Sequence, residues 1–164
     1  MINDASSSRK FSENYFSYLK ILIDELSIEN ISKFIELILQ TRENDKSIYF
    51  IGNGGSASTA SHFVNDISLG SRQFEKPFRA ISLCDNQAVI TAIGNDDGYE
   101  NIFLQQLQTQ AKSGDVLVSI SASGNSPNII KAVNWANSNN IQTVGLSAFD
   151  GGELSKLANL NIHV

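Results

Sequence analysis

The chain has 164 residues, 41% hydrophobic and 18% charged, which suits one domain with its own core and excludes a disordered chain. Twelve Lys and Arg stand against seventeen Asp and Glu, a formal net charge of -5 with no basic block, so there is no electrostatic footprint for nucleic acid or an anionic membrane. Cys84 is the single cysteine, which rules out an intrachain disulfide and makes a reducing compartment, the cytoplasm, the expected location.

Residues 1–10 are polar and serine-rich and lack the charged-then-apolar order of a secretory signal. No apolar run reaches the length of a bilayer span. Apolar residues then recur at the helical period through Phe16, Leu19, Ile23 and Leu26, and again through Ile31, Phe34, Ile35 and Ile38, predicting two leading amphipathic helices. After a turn at Glu43, Asn44 and Asp45, the apolar run 48–51 is closed by Gly52 and Gly54, as a buried strand would be. A helix over 56–69 follows, then a loop over 71–77. Further strands are expected at 80–83, 116–120, 143–146 and 160–164, separated by turn chemistry and helical patterns. Strands alternating with helices imply an α/β domain over 1–164: a doubly wound, mainly parallel five-stranded sheet flanked by helices and preceded by two more. Its ligands belong outside the carboxyl ends of the strands.

Two loops fall there. Gly52, Asn53, Gly54, Gly55 and Ser56 join a strand to a helix; glycine permits positive φ and close approach, and the amides of a helix start favour an anion. The same glycines would also serve a tight connection with no ligand. Ser121, Ala122, Ser123, Gly124, Asn125 and Ser126 follow the strand 116–120 and precede a helix that Pro127 can open. Here an N-cap explains Ser126 alone. It does not explain Ser121, Ser123 and Asn125 beside it, so a neutral phosphate cradle of hydroxyls and amides is the better account. His62 and Asp66, four apart, share a helix face, and their nitrogen and carboxylate suit zinc as well as an ordinary surface pair.

The segments GNGGSASTASHF at 52–63 and SASGNSPNIIKAV at 121–133, with Gly94, Asn95 and Asp96 between them, resemble the sugar isomerase (SIS) domain family, and within it the phosphoheptose isomerases. GDVLVSIS at 114–121 and FDGGELSKLA at 149–158 extend the likeness over nearly the whole chain. The resemblance implies that Ser121, Ala122, Ser123 and Ser126 bind a substrate phosphate. It also implies that Asn53, Gly54, Gly55, Ser56, Asn95 and Asp96 line the substrate; from the residues alone, Asn95 and Asp96 equally fit a turn ending a helix.

It further implies zinc on His62 and on a glutamate at the place of Asp66, whose side chain is one methylene shorter. The family's other ligands, a glutamine and a histidine on a helix beyond the last strand, have no match in these residues, so that helix is expected to be absent. His163 falls in the final strand and does not match. Two protein ligands are fewer than a catalytic zinc usually has.

The reaction implied is the isomerisation of sedoheptulose 7-phosphate to D-glycero-D-manno-heptose 7-phosphate for surface polysaccharide, with Asp66 and His62 for the chemistry. Two other readings stand beside it. One is a noncatalytic phosphosugar-binding or protein-binding module of the replication-initiator-associating type. The other is a dinucleotide-binding domain, since Gly52, Gly54 and Ala57 satisfy GxGxxA with Asp85 as ribose-binding acid; the two preceding helices and the second serine loop count against it. The apolar faces of the leading helices, and the resemblance, imply a homo-oligomer, a tetramer with sites shared between subunits.

Overall fold

The computed structural model describes residues 7–164; residues 1–6, within the segment read as lacking a secretory signal, lie outside the described residues. Two helices open the chain, α1 (Ser8–Glu25) and α2 (Ile28–Glu43), followed by β1 (Ser47–Gly52) and α3 (Gly55–Asn65). Then come β2 (Arg79–Ser82), α4 (Gln87–Asp96), α5 (Leu104–Gln110), β3 (Val116–Ile120), α6 (Pro127–Ser138), β4 (Gln142–Ser147), α7 (Leu154–Leu157) and β5 (Leu160–His163). Every strand pairing is parallel, in the order β2-β1-β3-β4-β5. The order reverses between β1 and β3, so the crevice at their carboxyl ends is where a doubly wound sheet binds its ligand.

Side-chain alternation along the central strands builds two cores. On one face Tyr49, Ile51 and Leu117 pack with Phe103, which precedes α5, with Leu107 of α5 and with Ile129 and Val133 of α6. On the other, Ile48, Phe50, Val116 and Val118 pack with Phe34 of α2 and Ala60 of α3. Each large side chain removed fully from water stabilises the fold by about 1.5–3 kcal/mol, so the mouth of the crevice rests on the most strongly held part of the molecule.

The sheet edge at β5 does not stand bare on that second face. Ile31, Phe34, Leu37 and Ile38 of α2 pack against the cluster holding Val144 and Ile162, and Asn30 Nδ2 donates to the Asn161 carbonyl at 3.0 Å. The two leading helices therefore differ. α2 packs Ile31, Phe34, Leu37 and Ile38 within the domain and leaves Ile28, Ile35 and Leu39 exposed, whereas α1 buries no residue and leaves Phe11, Phe16 and Ile23 exposed. The helix expected over 56–69 is also two elements. The α-helix ends at Asn65, and a π turn, Asp66–Gly70, carries the chain on. No helix among the described residues is long and apolar enough to cross a membrane.

Candidate active site

The serine loop leaves β3 at Ile120 and re-enters regular structure at Pro127, whose missing N–H and fixed φ suit a first helical position. Ser121 is anchored by its amide to the Leu146 carbonyl of β4 at 3.0 Å, and Gly124 N–H turns back to the Ser121 carbonyl at 3.0 Å. Gly124 has φ +64°, and an added Cβ would lie 2.0 Å from the Gly151 carbonyl oxygen. Only glycine lets the 121–126 turn close against the 150–152 loop.

Within this turn the polar groups are left open. Ser126 occupies the N-cap position of α6, yet its side chain makes no capping bond. That is a correction to the capping account of Ser126, and it contrasts with Ser27 and Asn86, which cap α2 and α4 through their side chains. The hydroxyls of Ser56, Ser121 and Ser126 have no hydrogen-bond partner among the described residues, nor do the amides of Ala122, Ser123 and Ser126. Ser123 Oγ takes only a long bond, 3.4 Å, from Asn125 N–H.

These groups converge. A cavity of about 290 Å³ is lined by Asn53, Ser56, Ile120, Ser121, Ala122, Ser123, Ser126 and Phe149. Seven of the eight side chains are neutral polar, small or aliphatic, the eighth is aromatic, and none is basic, so an anion here would be held by dipoles alone.

The glycine loop meets the serine loop through one side chain. Asn53 Nδ2 donates to Asn128 Oδ1 at 2.9 Å, and Asn128 Nδ2 donates to Asn53 Oδ1 at 2.8 Å. Asn53 Oδ1 also accepts from the Tyr99 hydroxyl at 3.1 Å. A second cavity, about 680 Å³, is lined by Asn53, Tyr99, Glu100, Ser126, Pro127, Asn128 and Lys131, and it shares Asn53 and Ser126 with the first. The Glu100 carboxyl is held below the ordinary carboxylate range by its own backbone amide and then by the Lys131 ammonium, 3.5 Å away.

Several of the residues singled out from sequence stand elsewhere. Gly54 (φ +53°) and Gly55 shape the turn into α3 without lining either cavity. The Ser56 and Ala57 amides turn back to the Asn53 and Gly54 carbonyls, so this helix start spends part of its donors on itself. Asn95 and Asp96 end α4, bonded to each other at 2.7 Å, and line neither cavity. Asp85, the acid of the dinucleotide reading, accepts a hydrogen bond from Ser61 Oγ. Tyr99 and Asn128, by contrast, carried no sequence signal of their own. Asn128 lay inside the quoted serine motif, but its partner is 75 residues away.

His62 and Asp66 form an exposed pair, Nδ1 to Oδ2 at 3.0 Å, and Asp66 Oδ1 accepts from Asn65 Nδ2 at 3.2 Å. The helix-face expectation holds across the α-to-π junction. As a zinc site the pair is incomplete: the described residues contain no group of three or more His, Cys, Asp or Glu placed to hold a metal ion. Within this chain the donor set does not fit the metal.

The SIS domain model matches residues 11–148. A phosphoheptose isomerase of Nitratidesulfovibrio vulgaris is 34% identical over 167 aligned residues, covering 100% of this chain and 75% of the relative. The chain belongs to the phosphoheptose isomerase family. Another member, from Clostridium acetobutylicum, is 42% identical over 134 residues, covering 82% of this chain and 68% of its own. The solved phosphoheptose isomerase of Neisseria gonorrhoeae superposes with a TM-score of 0.84 at 31% identity, over 96% of this chain and 84% of that one. This family membership agrees with the five-stranded parallel sheet.

Proposed function

We propose that this phosphoheptose isomerase family member converts sedoheptulose 7-phosphate to D-glycero-D-manno-heptose 7-phosphate, supplying heptose for surface polysaccharide in the cytoplasm. The observation that carries the reading is the neutral cradle: unpartnered hydroxyls and amides around the 290 Å³ cavity, beside a larger chamber able to take the rest of the sugar.

The phosphate seats against Ser121, Ser123 and Ser126 and the open amides, which donate to its oxygens. The sugar then runs past Asn53 and Tyr99. Isomerisation removes a proton from C1 of the ketose to give an enediolate, returns a proton to C2, and moves the C1 hydroxyl proton to O2, so that C1 becomes the aldehyde and C2 carries the new hydroxyl. Donors near O1 and O2 stabilise the developing oxyanion. Asp66, braced by His62, is the proposed base. Neither residue lines the 290 Å³ or the 680 Å³ cavity, so the proposal has the pair supplied by a second copy in a homo-oligomer, a tetramer. The exposed apolar face of α1 supports such an assembly. No step is routed through a metal.

The test is incubation of the purified protein with sedoheptulose 7-phosphate, followed by NMR detection of the aldose. Turnover is the expected result. Binding of the sugar phosphate without turnover would instead establish a noncatalytic phosphosugar-binding module.

A further inference from the structure

Asn128 is the most deeply buried polar side chain at the mouth of the crevice, 2% exposed, although it belongs to the first turn of an otherwise ordinary helix. Its orientation is determined. The Ile129 N–H can only donate; shared with the Ser126 carbonyl at 3.0 Å, it also approaches Asn128 Oδ1 at 3.0 Å, so the other terminal atom of this amide is the NH2 group. That group donates to Asn53 across the crevice, which forces Oδ1 of Asn53 toward Asn128 and toward the Tyr99 hydroxyl. Tyr99 must then be the donor in its bond, because an amide oxygen only accepts.

The consequence lies in what remains. One N–H of Asn53 is used on Asn128 Oδ1. The second has no partner among the described residues, and Asn53 borders both cavities. The Tyr99 oxygen, having given its proton to Asn53, presents only acceptor capacity to the larger chamber that it lines.

We infer that Asn128 and Tyr99 are positioning residues that lock the Asn53 amide in one orientation, so that a single Asn53 N–H faces a sugar oxygen beside the phosphate cradle. Asn128 follows Ser126 by two residues, so the element that seats the phosphate also aims the group that reads the sugar. This inference rests on the proposed phosphosugar reading for the identity of the ligand; the locked amide itself does not. A free asparagine would divide its time between presenting NH2 and C=O, and a sugar hydroxyl can answer either. Locking the amide removes that choice, so the sugar oxygen that meets it must act as acceptor.

The test is a double-mutant cycle read by calorimetry and, where the wild type turns over, by kinetics. Sedoheptulose 7-phosphate reports on sugar and phosphate together, and inorganic phosphate reports on the cradle alone. Tyr99→Phe, at a site 57% exposed, removes the hydroxyl with little risk to folding. Asn128→Ala removes the brace, with melting temperature monitored. Each is expected to weaken sedoheptulose 7-phosphate by about tenfold while phosphate affinity changes less than about twofold. In an Asn53→Ala background, Tyr99→Phe is expected to cost nothing further. Equal losses for phosphate and sugar phosphate, or full additivity of Tyr99→Phe with Asn53→Ala, would overturn the assignment. Lack of turnover by the wild type would reject the isomerase reading while leaving this cycle readable through binding.

Discussion

Ser126 separates a structural serine from a functional one, and the two roles predict opposite outcomes for Ser126→Ala. A serine that caps a helix loses about 1 kcal/mol on conversion to alanine, which in a chain of this size lowers Tm by about 2–4 °C. Here the hydroxyl makes no capping bond, so the expected stability change is within about 0.5 kcal/mol. The same hydroxyl opens onto both cavities. A hydrogen bond to a charged phosphate contributes about 1.5–3 kcal/mol, so binding of inorganic phosphate and of sedoheptulose 7-phosphate should weaken about tenfold to a hundredfold. Ser27→Ala is the crossed control, because Ser27 Oγ accepts from Asn30 N–H at 3.2 Å at the start of α2. It should lower Tm with unchanged affinity. Thermal melts and phosphate titrations of both variants decide the matter. A Ser126→Ala protein that melts lower yet binds phosphate as tightly as the wild type would refute the cradle.

Gly124→Ala places a Cβ 2.0 Å from the Gly151 carbonyl oxygen at φ +64°, so the loop must open; a loss of at least about 2 kcal/mol, seen as a fall in Tm of about 5 °C or more, is expected together with loss of phosphate binding. Subunit sharing predicts complementation: inactive Ser121→Ala and Asp66→Asn proteins, refolded together, should recover activity in hybrids that contain one intact site, and mixtures as inactive as their parents would count against a shared site. Burial pushes the Cys84 thiol up, and Asp85 adds to this. The stability tied to this group is present below the thiol pKa of the unfolded chain and is lost as pH rises through the higher folded value. At about pH 8, iodoacetamide should therefore label the native protein far more slowly than the denatured one, with mass spectrometry as the readout; equal rates would show that the thiol is not shielded.

Much of the fold was legible because it repeats a period. Ile48 to Ile51 alternate between two cores and are closed by glycine, and Val116, Leu117 and Val118 alternate in the same way ahead of the serine turn, so strands could be read without any long-range information. What blurred was the end of α3. The switch to a π turn at Asp66 leaves no mark on a helical hydrophobic pattern that runs on to Leu69. The difference between α1 and α2 was equally hidden, since two amphipathic stripes look alike until one is seen packed on Val144 and Ile162.

For the candidate site, the linear sequence determined the donors: three serines, a glycine and a helix-opening proline in seven consecutive residues, a local pattern whose chemistry needs no distant partner. Tertiary structure decided everything that depends on two segments meeting. Whether Ser126 caps its helix or lines a cavity is seen only once the turn is folded. That Asn53 is locked by Asn128 and Tyr99, and that Asn95 and Asp96 pair with each other at the end of α4, follows from where the crossovers return the chain. Hydrogen bonds are short-ranged and directional, and residue types alone do not state which donors and acceptors the fold brings within reach of one another.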